Sequence, residues 1–264
     1  IHRLRAMASE GKLKFPVIAV NDTPMKHYFD NVHGTGESAL TAIMVTTNSL
    51  IAGKWVVVAG FGFCGRGLAR KASALGAKVI VTEIDPRRAL EAHMEGFHIM
   101  SMKEAATIGD IFITTTGNRD VITGEHMAVM KSGAILSNAG HFNIEIDGVW
   151  LSSNADTIEE RDGIHSYHIG GKVIHLLAEG RLVNLAVPKG MGHPIEVMDL
   201  SFALQALSTE YLALYHKKLK AGVHQVPDEI DRDVAMYKLR SLNLSIDSLT
   251  KNQEEYMGSW DHGT

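Results

Sequence analysis

Apolar residues along this chain fall into short, β-branched runs separated by stretches with helical periodicity. The runs occupy residues 15–20, 55–59, 78–82, 111–115 and 134–137, and the last four alternate with helical segments. Short buried strands that alternate with helices are typical of a parallel sheet covered by helices on both faces. The pattern therefore predicts the α/β class, with a Rossmann-type doubly wound parallel sheet.

The segments that flank these strands extend the prediction. Residues 36–51 predict a helix that ends at Gly53, a residue type suited to a left-handed cap. Residues 172–177 and 181–185 predict a hairpin that continues the sheet. Pro194 then opens an amphipathic helix to about residue 219, and Pro227 opens another to about residue 239. We expect a helical C-terminal extension that is separate from the sheet.

Composition narrows the classes of function. Lys and Arg number 26 against 30 Asp and Glu, so no overall positive field favours nucleic acid, and no apolar run is long enough to span a membrane. The single cysteine, Cys64, fits a reducing compartment and predicts a cytoplasmic protein. His165 and His168 lack the Cys or carboxylate partners of a metal site, so no metal is predicted. Small-molecule chemistry is the expected function.

A glycine-rich loop follows the run 55–59. Gly60, Gly62 and Gly65 have the spacing of a dinucleotide-binding turn, and a helical segment and a second strand come next. Such glycines permit a tight turn and a close approach of the backbone to a pyrophosphate, which the helix N-terminus then binds. The alternative is an ordinary strand-to-helix turn, which the surrounding strand and helix disfavour.

The second strand ends in Glu83, about 20 residues past the loop, where a carboxylate can accept the hydroxyls of an adenosine ribose. This position favours NAD over NADP, although Arg87 and Arg88 lie close enough to leave NADP open. Thr115, Thr116 and Asn118 follow a later strand at the same sheet edge, where their polar groups could bind the nicotinamide ribose or form a polar turn.

Lys26 and Asp30 are four residues apart, which places an ammonium and a carboxylate on one face of a helical turn. Alone, this spacing favours an exposed ion pair that contributes little to stability.

The residues around this pair change that interpretation. From Val20-Asn21-Asp22 to Glu37-Ser38 the sequence resembles the S-adenosylhomocysteine hydrolase (adenosylhomocysteinase) family. Further family motifs follow in order at residues 60–67, 81–86 (Val-Thr-Glu-Ile-Asp-Pro), 114–117, 140–142 (Gly-His-Phe), 177–185 (Leu-Ala-Glu-Gly-Arg-Leu-Val-Asn-Leu) and 191–194 (Met-Gly-His-Pro).

The resemblance implies an NAD-dependent hydrolysis. In the family, tightly held NAD oxidises the ribose 3′-hydroxyl of S-adenosylhomocysteine, homocysteine is eliminated, water adds, and the ketone is reduced again to release adenosine. The expected ligand is a nucleoside thioether, and the expected assembly is a homotetramer formed through residues 227–260. The resemblance also implies that a substrate-binding region precedes Ile1, so the chain is expected to be an N-terminally truncated member whose ending is similar to archaeal and thermophilic relatives.

The resemblance also assigns residues to roles. Lys26, Asp30 and His141 are the expected catalytic residues, and His193 and Met191 join the first two in binding substrate. The expected cofactor contacts are Asn31, Gly60, Gly62, Phe63, Cys64, Gly65, Arg66, Gly67, Glu83, Thr115, Thr116, Asn118, Ala139, Gly140, His141 and Asn184. The expected division of the chain is a substrate-domain remnant at 1–33, an NAD domain at 34–191, a hinge and helix at 192–225, and an oligomerisation segment at 226–264.

The sequence also departs from the family pattern. Phe63 and Cys64 stand where many relatives have Asp and Val, and the loop 186–191 is longer than usual. An inosine nucleoside in place of adenosine therefore stays open. Two other readings are a non-catalytic NAD-binding relative and, more remotely, an NAD-dependent hydroxyacid dehydrogenase.

Overall fold

A computed structural model describes residues 1–260. The last four residues of the predicted oligomerisation segment, 261–264, lie outside the described residues. The strands are β1 Pro16–Ile18, β2 Trp55–Ala59, β3 Lys78–Thr82, β4 His98–Ile99, β5 Ile111–Thr114, β6 Ala134–Asn138, β7 Thr157–Arg161, β8 Ile164–Ile169, β9 Lys172–Leu177 and β10 Gly222–His224.

Helices connect most of these strands. A π-helix spans Lys26–Thr35, and the α-helices are α1 His2–Ser9, α2 Gly36–Thr47, α3 Phe63–Ala74, α4 Pro86–Met94, α5 Met102–Ile108, α6 Gly124–Val129, α7 Gly148–Asn154, α8 Val183–Ala186, α9 Ile195–Tyr215, α10 Asp228–Ser241 and α11 Lys251–Met257. Short 3₁₀ turns occupy Val20–Asp22, Ala178–Gly180 and His216–Lys218.

Eight strands form the main sheet in the order β4-β3-β2-β5-β6-β9-β8-β7. The first six are parallel to one another, and β8 runs antiparallel to both β9 and β7. The chain starts in the middle at β2, winds outward to β4, and then returns to the other side through β5. This order confirms the Rossmann-type doubly wound fold, and it opens a crevice at the carboxyl ends of β2 and β5.

Alternate residues of the central strands pack on opposite faces of the sheet. Val56, Val58 and Ile111 lie in one core cluster beneath α2 and α3, whereas Val57 and Phe112 lie in a second cluster beneath α5, α6 and α7. The period of two follows from the pleat, and both faces are covered, so these strands are apolar throughout. The double cover holds the carboxyl ends of β2 and β5 rigidly in place.

Three details of the predicted architecture were wrong. The hairpin partner of β9 is β8, because residues 178–186 form helical turns; Ala178 and Glu179 have φ of +52° and +54°. The left-handed residue after α2 is Asn48, with φ of +50°, and Gly53 lies further on. The C-terminal region is separate from the main sheet as predicted but is not wholly helical, because β10 pairs in parallel with β1 in a two-stranded sheet.

A third apolar cluster ties the C-terminal helices to the π-helix. It contains Met25 from the π-helix N-cap, Leu200 and Leu204 from α9, and Val234 from α10. Burial of such side chains contributes about 2 kcal/mol each. The cluster therefore fixes α9 beside the π-helix, which carries Lys26 and Asp30.

Within residues 1–260, no helix combines the length and the apolarity that crossing a bilayer requires.

Candidate active site

The π-helix brings three polar side chains of the sequence together. In a π-helix, residues five apart stand next to each other, whereas in an α-helix the neighbours are three and four apart. The Lys26 ammonium accordingly donates to Asn31 Oδ1 at 2.6 Å and lies 3.1 Å from Asp30 Oδ1. The side chains of Lys26 and Asp30 are 20% and 9% exposed, so the pair is not the exposed ion pair that the spacing alone favours.

Asp30 is held from three elements. Its Oδ1 atom also lies 3.3 Å from His193 Nδ1, and its Oδ2 atom accepts a 2.9 Å hydrogen bond from the Ser201 hydroxyl on α9. Burial opposes the ionisation of Asp30, yet its interactions with His193 and Lys26 outweigh burial and lower its pKa to about 2. The site therefore presents a fixed carboxylate beside an ammonium.

His193 closes this cluster at the turn before α9. Its Nε2 atom lies 3.4 Å from Thr35 Oγ1, and its ring packs so closely on the π-helix that a Cβ on Gly34 would lie 2.8 Å from Nδ1. Pro194 ends the turn and α9 begins at Ile195. The same helix therefore positions both His193 at its start and Ser201 two turns later, against one carboxylate.

The glycine loop forms the tight turn that its spacing predicts. Gly60 has φ of +95°, and a Cβ on Gly65 would lie 2.0 Å from the Gly60 carbonyl oxygen. Gly67 packs against the π-helix, since a Cβ there would lie 1.8 Å from Val32 O. In the described part of the chain, no side chain caps α3 and no acidic residue stands in its first turn. The N-terminus of α3 is therefore suited to an anionic pyrophosphate.

Hydrogen bonds join this loop to the cluster around Asp30. Asn31 Nδ2 donates to Cys64 Sγ at 3.1 Å, and the Cys64 thiol donates to Thr35 Oγ1 at 3.6 Å. Phe63 faces the π-helix, where its ring stacks on His27 with 4.4 Å between centroids. The two residues that depart from the family pattern thus bind the loop to the catalytic candidates.

Glu83 and Arg66 have protein partners in this structure. Glu83 accepts the N–H of Phe61 at 2.7 Å through one oxygen, and the N–H groups of Ile84 and Asp85 through the other. Its carboxylate therefore stands beside the first glycine turn, as the sequence predicts. Arg66 lies over the rings of Phe61 and Phe63 and pairs with Glu91 at 2.6 Å.

The threonines after β5 use their hydroxyls within the protein. Thr115 Oγ1 donates to Ala59 O at 2.8 Å, and Thr116 Oγ1 donates to Glu145 at 2.7 Å. Glu145 is fully buried and also accepts the N–H groups of Thr116 and Gly117, while the Asn118 N–H donates to Thr116 Oγ1. These bonds make the segment a rigid polar turn at the mouth of the crevice.

The loop after β6 carries Ala139, Gly140 and His141. It is shaped by buried Asn138, whose Oδ1 accepts the Gly140 N–H at 2.7 Å and whose Nδ2 donates to the carbonyls of Gly140, Phe142 and Gly180. His141 is exposed and packs against Phe142, with 4.5 Å between ring centroids. Among the contacts of residues 1–260, none joins His141 to Lys26 or Asp30.

Asn184 offers an open acceptor in the interior. It is 4% exposed, its Nδ2 donates to Ser38 Oγ at 3.0 Å, and Oδ1 has no hydrogen-bond partner among the residues that the structure describes. An unpaired buried amide oxygen is costly unless a ligand satisfies it. The nicotinamide carboxamide is such a ligand, since its NH₂ group donates two hydrogen bonds. The glycine turn, the Glu83 carboxylate and this amide therefore fit NAD.

A cleft of about 480 Å³ adjoins His193. Ser38 and Thr41 of α2 form one wall, and Met191 and Pro194 of the loop before α9 form the other. Met191 is 87% exposed, so in this structure it borders the opening of the cleft and contributes little to its interior. The size of the cleft falls in the usual range for small-molecule sites.

Sequence reasoning missed several residues that shape the site. Ser201, Glu145, Asn138 and Thr35 each hydrogen-bond a predicted site residue or the segment that carries it. An Asn directly after the predicted strand 134–137 was the available signal for Asn138, whereas Glu145, seven residues further on, follows no predicted strand. Ser201 carries no such signal, because it lies within an ordinary helical pattern. In the region that the structure describes, no group of three His, Cys, Asp or Glu could hold a metal ion.

Sequence comparison with known proteins also points to the S-adenosylhomocysteine hydrolase family, and the matching relatives cover the whole chain. A sequence model of the S-adenosyl-L-homocysteine hydrolase NAD-binding domain matches residues 31–190. The adenosylhomocysteinase of Haloquadratum walsbyi is 60% identical over 266 residues, which cover 100% of this chain and 62% of that protein. The S-inosyl-L-homocysteine hydrolase of Methanosarcina mazei is 57% identical over 265 residues, covering 100% of this chain and 64% of that protein.

Among solved structures, the A chain of dipicolinate synthase from Bacillus subtilis has a TM-score of 0.53 at 19% identity, covering 81% of this chain and 63% of that one. That likeness shows the shared Rossmann-type fold alone. This chain thus spans less than two thirds of the length of the curated relatives it matches. With a family-specific domain match over most of its length and close relatives over all of it, the chain belongs to the S-adenosyl-L-homocysteine hydrolase family and contains the family's NAD-binding domain.

Proposed function

We propose that the protein to which this chain belongs hydrolyses S-adenosyl-L-homocysteine reversibly to adenosine and L-homocysteine. One observation carries the proposal. The ammonium and carboxylate of Lys26 and Asp30 are joined through Asn31 and Cys64 to the glycine loop of a dinucleotide site. A sugar hydroxyl next to that pair would also lie next to the cofactor.

When bound, NAD would supply the hydride-accepting and hydride-donating group for C3′ of the ribose. Asp30, with its pKa of about 2, is ionised at neutral pH and accepts a hydrogen bond from a sugar hydroxyl. Lys26 assists removal of the 3′-hydroxyl proton, which requires its neutral amine. His193 and Ser201 also contact the carboxylate of Asp30. These contacts weaken the electrostatic attraction between that carboxylate and the Lys26 ammonium.

Other residues orient the ligands. Asn184, with its open Oδ1, would hold the nicotinamide carboxamide together with the backbone of Ala139 and Gly140. His141 acts as acid or base at C5′ on reaching the bound sugar, and its exposed position leaves it room to do so. His193 and Met191 border the cleft through which substrate enters.

The proposal leaves two candidates for the base of the substrate nucleoside, adenine and hypoxanthine. One close relative is named for adenosyl and another for inosyl substrate, at similar identities of 60% and 57%. S-inosyl-L-homocysteine hydrolysis is therefore the second candidate function. The two share every step at the ribose, so Lys26 and Asp30 have the same roles in both.

The test measures release of homocysteine thiol from each thioether by the whole protein, with Lys26→Met and Asp30→Asn as variants. We expect release by the unsubstituted protein and a loss of about 100-fold or more in each variant, because positioned acid–base groups contribute at least that much. Lys12→Met is a matched control, since Lys12 is 70% exposed and its ion-pair partner is Glu10, which is not a member of the cluster. Retained NAD binding without homocysteine release from either thioether would favour the non-catalytic relative, and net NADH formation with a 2-hydroxy acid would favour the dehydrogenase.

Two broader predictions accompany the proposal. A homotetramer formed through residues 227–260 is supported by exposed apolar side chains in that region, among them Leu244, Ile246, Tyr256 and Met257. A cytoplasmic location stays a prediction that rests on the single cysteine, whose free thiol holds Asn31.

A further inference from the structure

Two consecutive arginines of α4 lie in different environments. Arg87 is held by Asp85, with Nη2 2.8 Å from Oδ2 and Nε 3.1 Å from Oδ1. Arg88, the next residue, reaches the glycine loop, where its Nη1 would lie 3.9 Å from a Cβ on Gly62. Arg88 therefore stands next to the second glycine of the loop.

The ion pairs of the two helices that flank the loop single out the same residue. Four of the five lysines and arginines on α3 and α4 have a carboxylate partner: Arg66 with Glu91, Arg70 with Glu95, Lys71 with Glu37 and Arg87 with Asp85. Within residues 1–260, Arg88 forms no ion pair and no side-chain hydrogen bond, and its charge acts on Asp85 only at longer range. Among the described residues of these helices, the cation that lacks a direct ion-pair partner is thus the one that adjoins Gly62.

A bound dinucleotide would place strong negative charge at this position. Its pyrophosphate lies against the second glycine of the loop and carries two negative charges, while the helix N-terminus offers only about half a positive charge. Glu83 adds a further negative charge near the adenosine ribose. A guanidinium makes paired, charge-assisted hydrogen bonds to phosphate oxygens, and it stays charged at every relevant pH.

We infer that Arg88 is a phosphate-binding residue of the cofactor site. It contacts the pyrophosphate of NAD, or the 2′-phosphate if NADP occupies the site, and so offsets the charge of Glu83. The inference rests on the proposed use of this loop as the cofactor site, but not on the hydrolysis itself.

The test compares Arg88→Gln with Arg87→Gln as the matched control. Both remove one arginine from the same turn of α4, and both are exposed, so neither should change the melting temperature appreciably. After removal of any copurified nucleotide, calorimetry measures the affinity for NAD⁺, ADP-ribose, NADP⁺ and adenosine. We expect Arg88→Gln to weaken NAD⁺ and ADP-ribose about tenfold and to leave adenosine unchanged, because only the first two carry phosphate.

Further measurements distinguish whether Arg88 contacts the pyrophosphate or the 2′-phosphate. An equal loss for NAD⁺ and NADP⁺ assigns the contact to the pyrophosphate, whereas a larger loss for NADP⁺ assigns it to the 2′-phosphate. Arg88→Lys should recover part of the affinity, and the loss should shrink at about 1 M salt as the charges are screened. Arg87→Gln should bind all four ligands within about twofold of the unsubstituted protein, as expected for an exposed pair.

The inference is overturned if Arg88→Gln binds both dinucleotides as tightly as the unsubstituted protein does, if Arg87→Gln loses as much, or if the unsubstituted chain binds neither dinucleotide. These outcomes differ from failure of the proposed hydrolysis. A whole protein that binds NAD⁺ through Arg88 yet releases no homocysteine would refute the activity and leave the role of Arg88 intact.

Discussion

Alanine variants of two glycines, Gly67 and Gly62, should test helix packing and cofactor binding separately. Gly67→Ala should lower stability, whereas Gly62→Ala should weaken NAD⁺ binding. A Cβ on Gly67 would lie 1.8 Å from Val32 O and 2.7 Å from Val32 C, both in the backbone of the π-helix. A Cβ on Gly62 would meet only Arg88 Nη1, at 3.9 Å, and the φ of −71° at Gly62 suits alanine. Gly67 is therefore required for packing, whereas Gly62 is required only if a ligand approaches.

The magnitude follows from these distances. Restoring an ordinary contact at Gly67 requires α3 and the π-helix to separate by about 1.5 Å, and overpacking of this kind costs about 3 kcal/mol. In a chain of this size, that cost lowers the melting temperature by about 6–12 °C. Gly62→Ala should melt within about 2 °C of the unsubstituted protein, because its methyl group meets open space. It should nevertheless weaken NAD⁺ binding about tenfold or more, because the methyl group occupies the path of the pyrophosphate.

The assay pairs thermal melting by circular dichroism with calorimetric titration of NAD⁺ on the same preparations. Gly67→Ala should lose stability first, with any loss of NAD⁺ affinity following from displacement of α3. An unchanged melting temperature for Gly67→Ala would refute the close packing of α3 on the π-helix. Unchanged NAD⁺ affinity for Gly62→Ala would refute the placement of the pyrophosphate on this loop.

Three other predictions concern stability. Because its pKa is lowered to about 2 in the folded state, Asp30 should contribute about 2 kcal/mol to the free energy of unfolding, fully present above pH 4 and lost as the pH falls toward 2. The free energies of unfolding of the protein and of Asp30→Asn, measured by urea titration across this range, should converge at the acid end, and parallel curves would contradict the reasoning. Lys172→Met removes hydrogen bonds from Nζ to the carbonyls of Met127, Ala128 and Met130 at the end of α6, and it should cost about 1–2 kcal/mol in urea denaturation, more than Lys131→Met at an exposed ion pair. Glu145→Gln turns one of its acceptors into a donor that faces a backbone N–H, so it should cost about 2–3 kcal/mol by the same measurement, and a cost below about 0.5 kcal/mol would show that the carboxylate is not needed.

Much of the fold could be predicted because its signals are local. The strands β2, β3, β5 and β6 each coincide with an apolar run, and the helices that begin after Pro194 and Pro227 start where those prolines predict. The glycine spacing likewise predicted a turn with positive φ at Gly60. The hairpin at β9 failed as a prediction because β8 and residues 181–185 have similar apolar content, and only pairing across the sheet distinguishes them.

The members of the candidate site stay predictions from sequence motifs, and only the structure gives their geometry. Lys26 and Asp30 were identified by their motif, but the spacing alone favoured an exposed pair. The structure buries them, because Met25 and the α9 residues Leu200 and Leu204 cover the π-helix. His141 illustrates the opposite case, since its motif is clear and yet no contact among residues 1–260 joins it to the cluster.

The sequence by itself determined the α/β class, the dinucleotide turn and the family, since each depends on residues close together along the chain. Tertiary structure alone decided how the carboxylate of Asp30 is held, because Ser201 and His193 are more than 160 residues away and reach it only through the packing of α9. It also decided the i to i+5 contact of Lys26 with Asn31, which requires a π-helix, and the separation of Arg87 from Arg88. These contacts depend on which surfaces pack together, and that choice minimises the free energy of the whole chain, so no local window of sequence contains it.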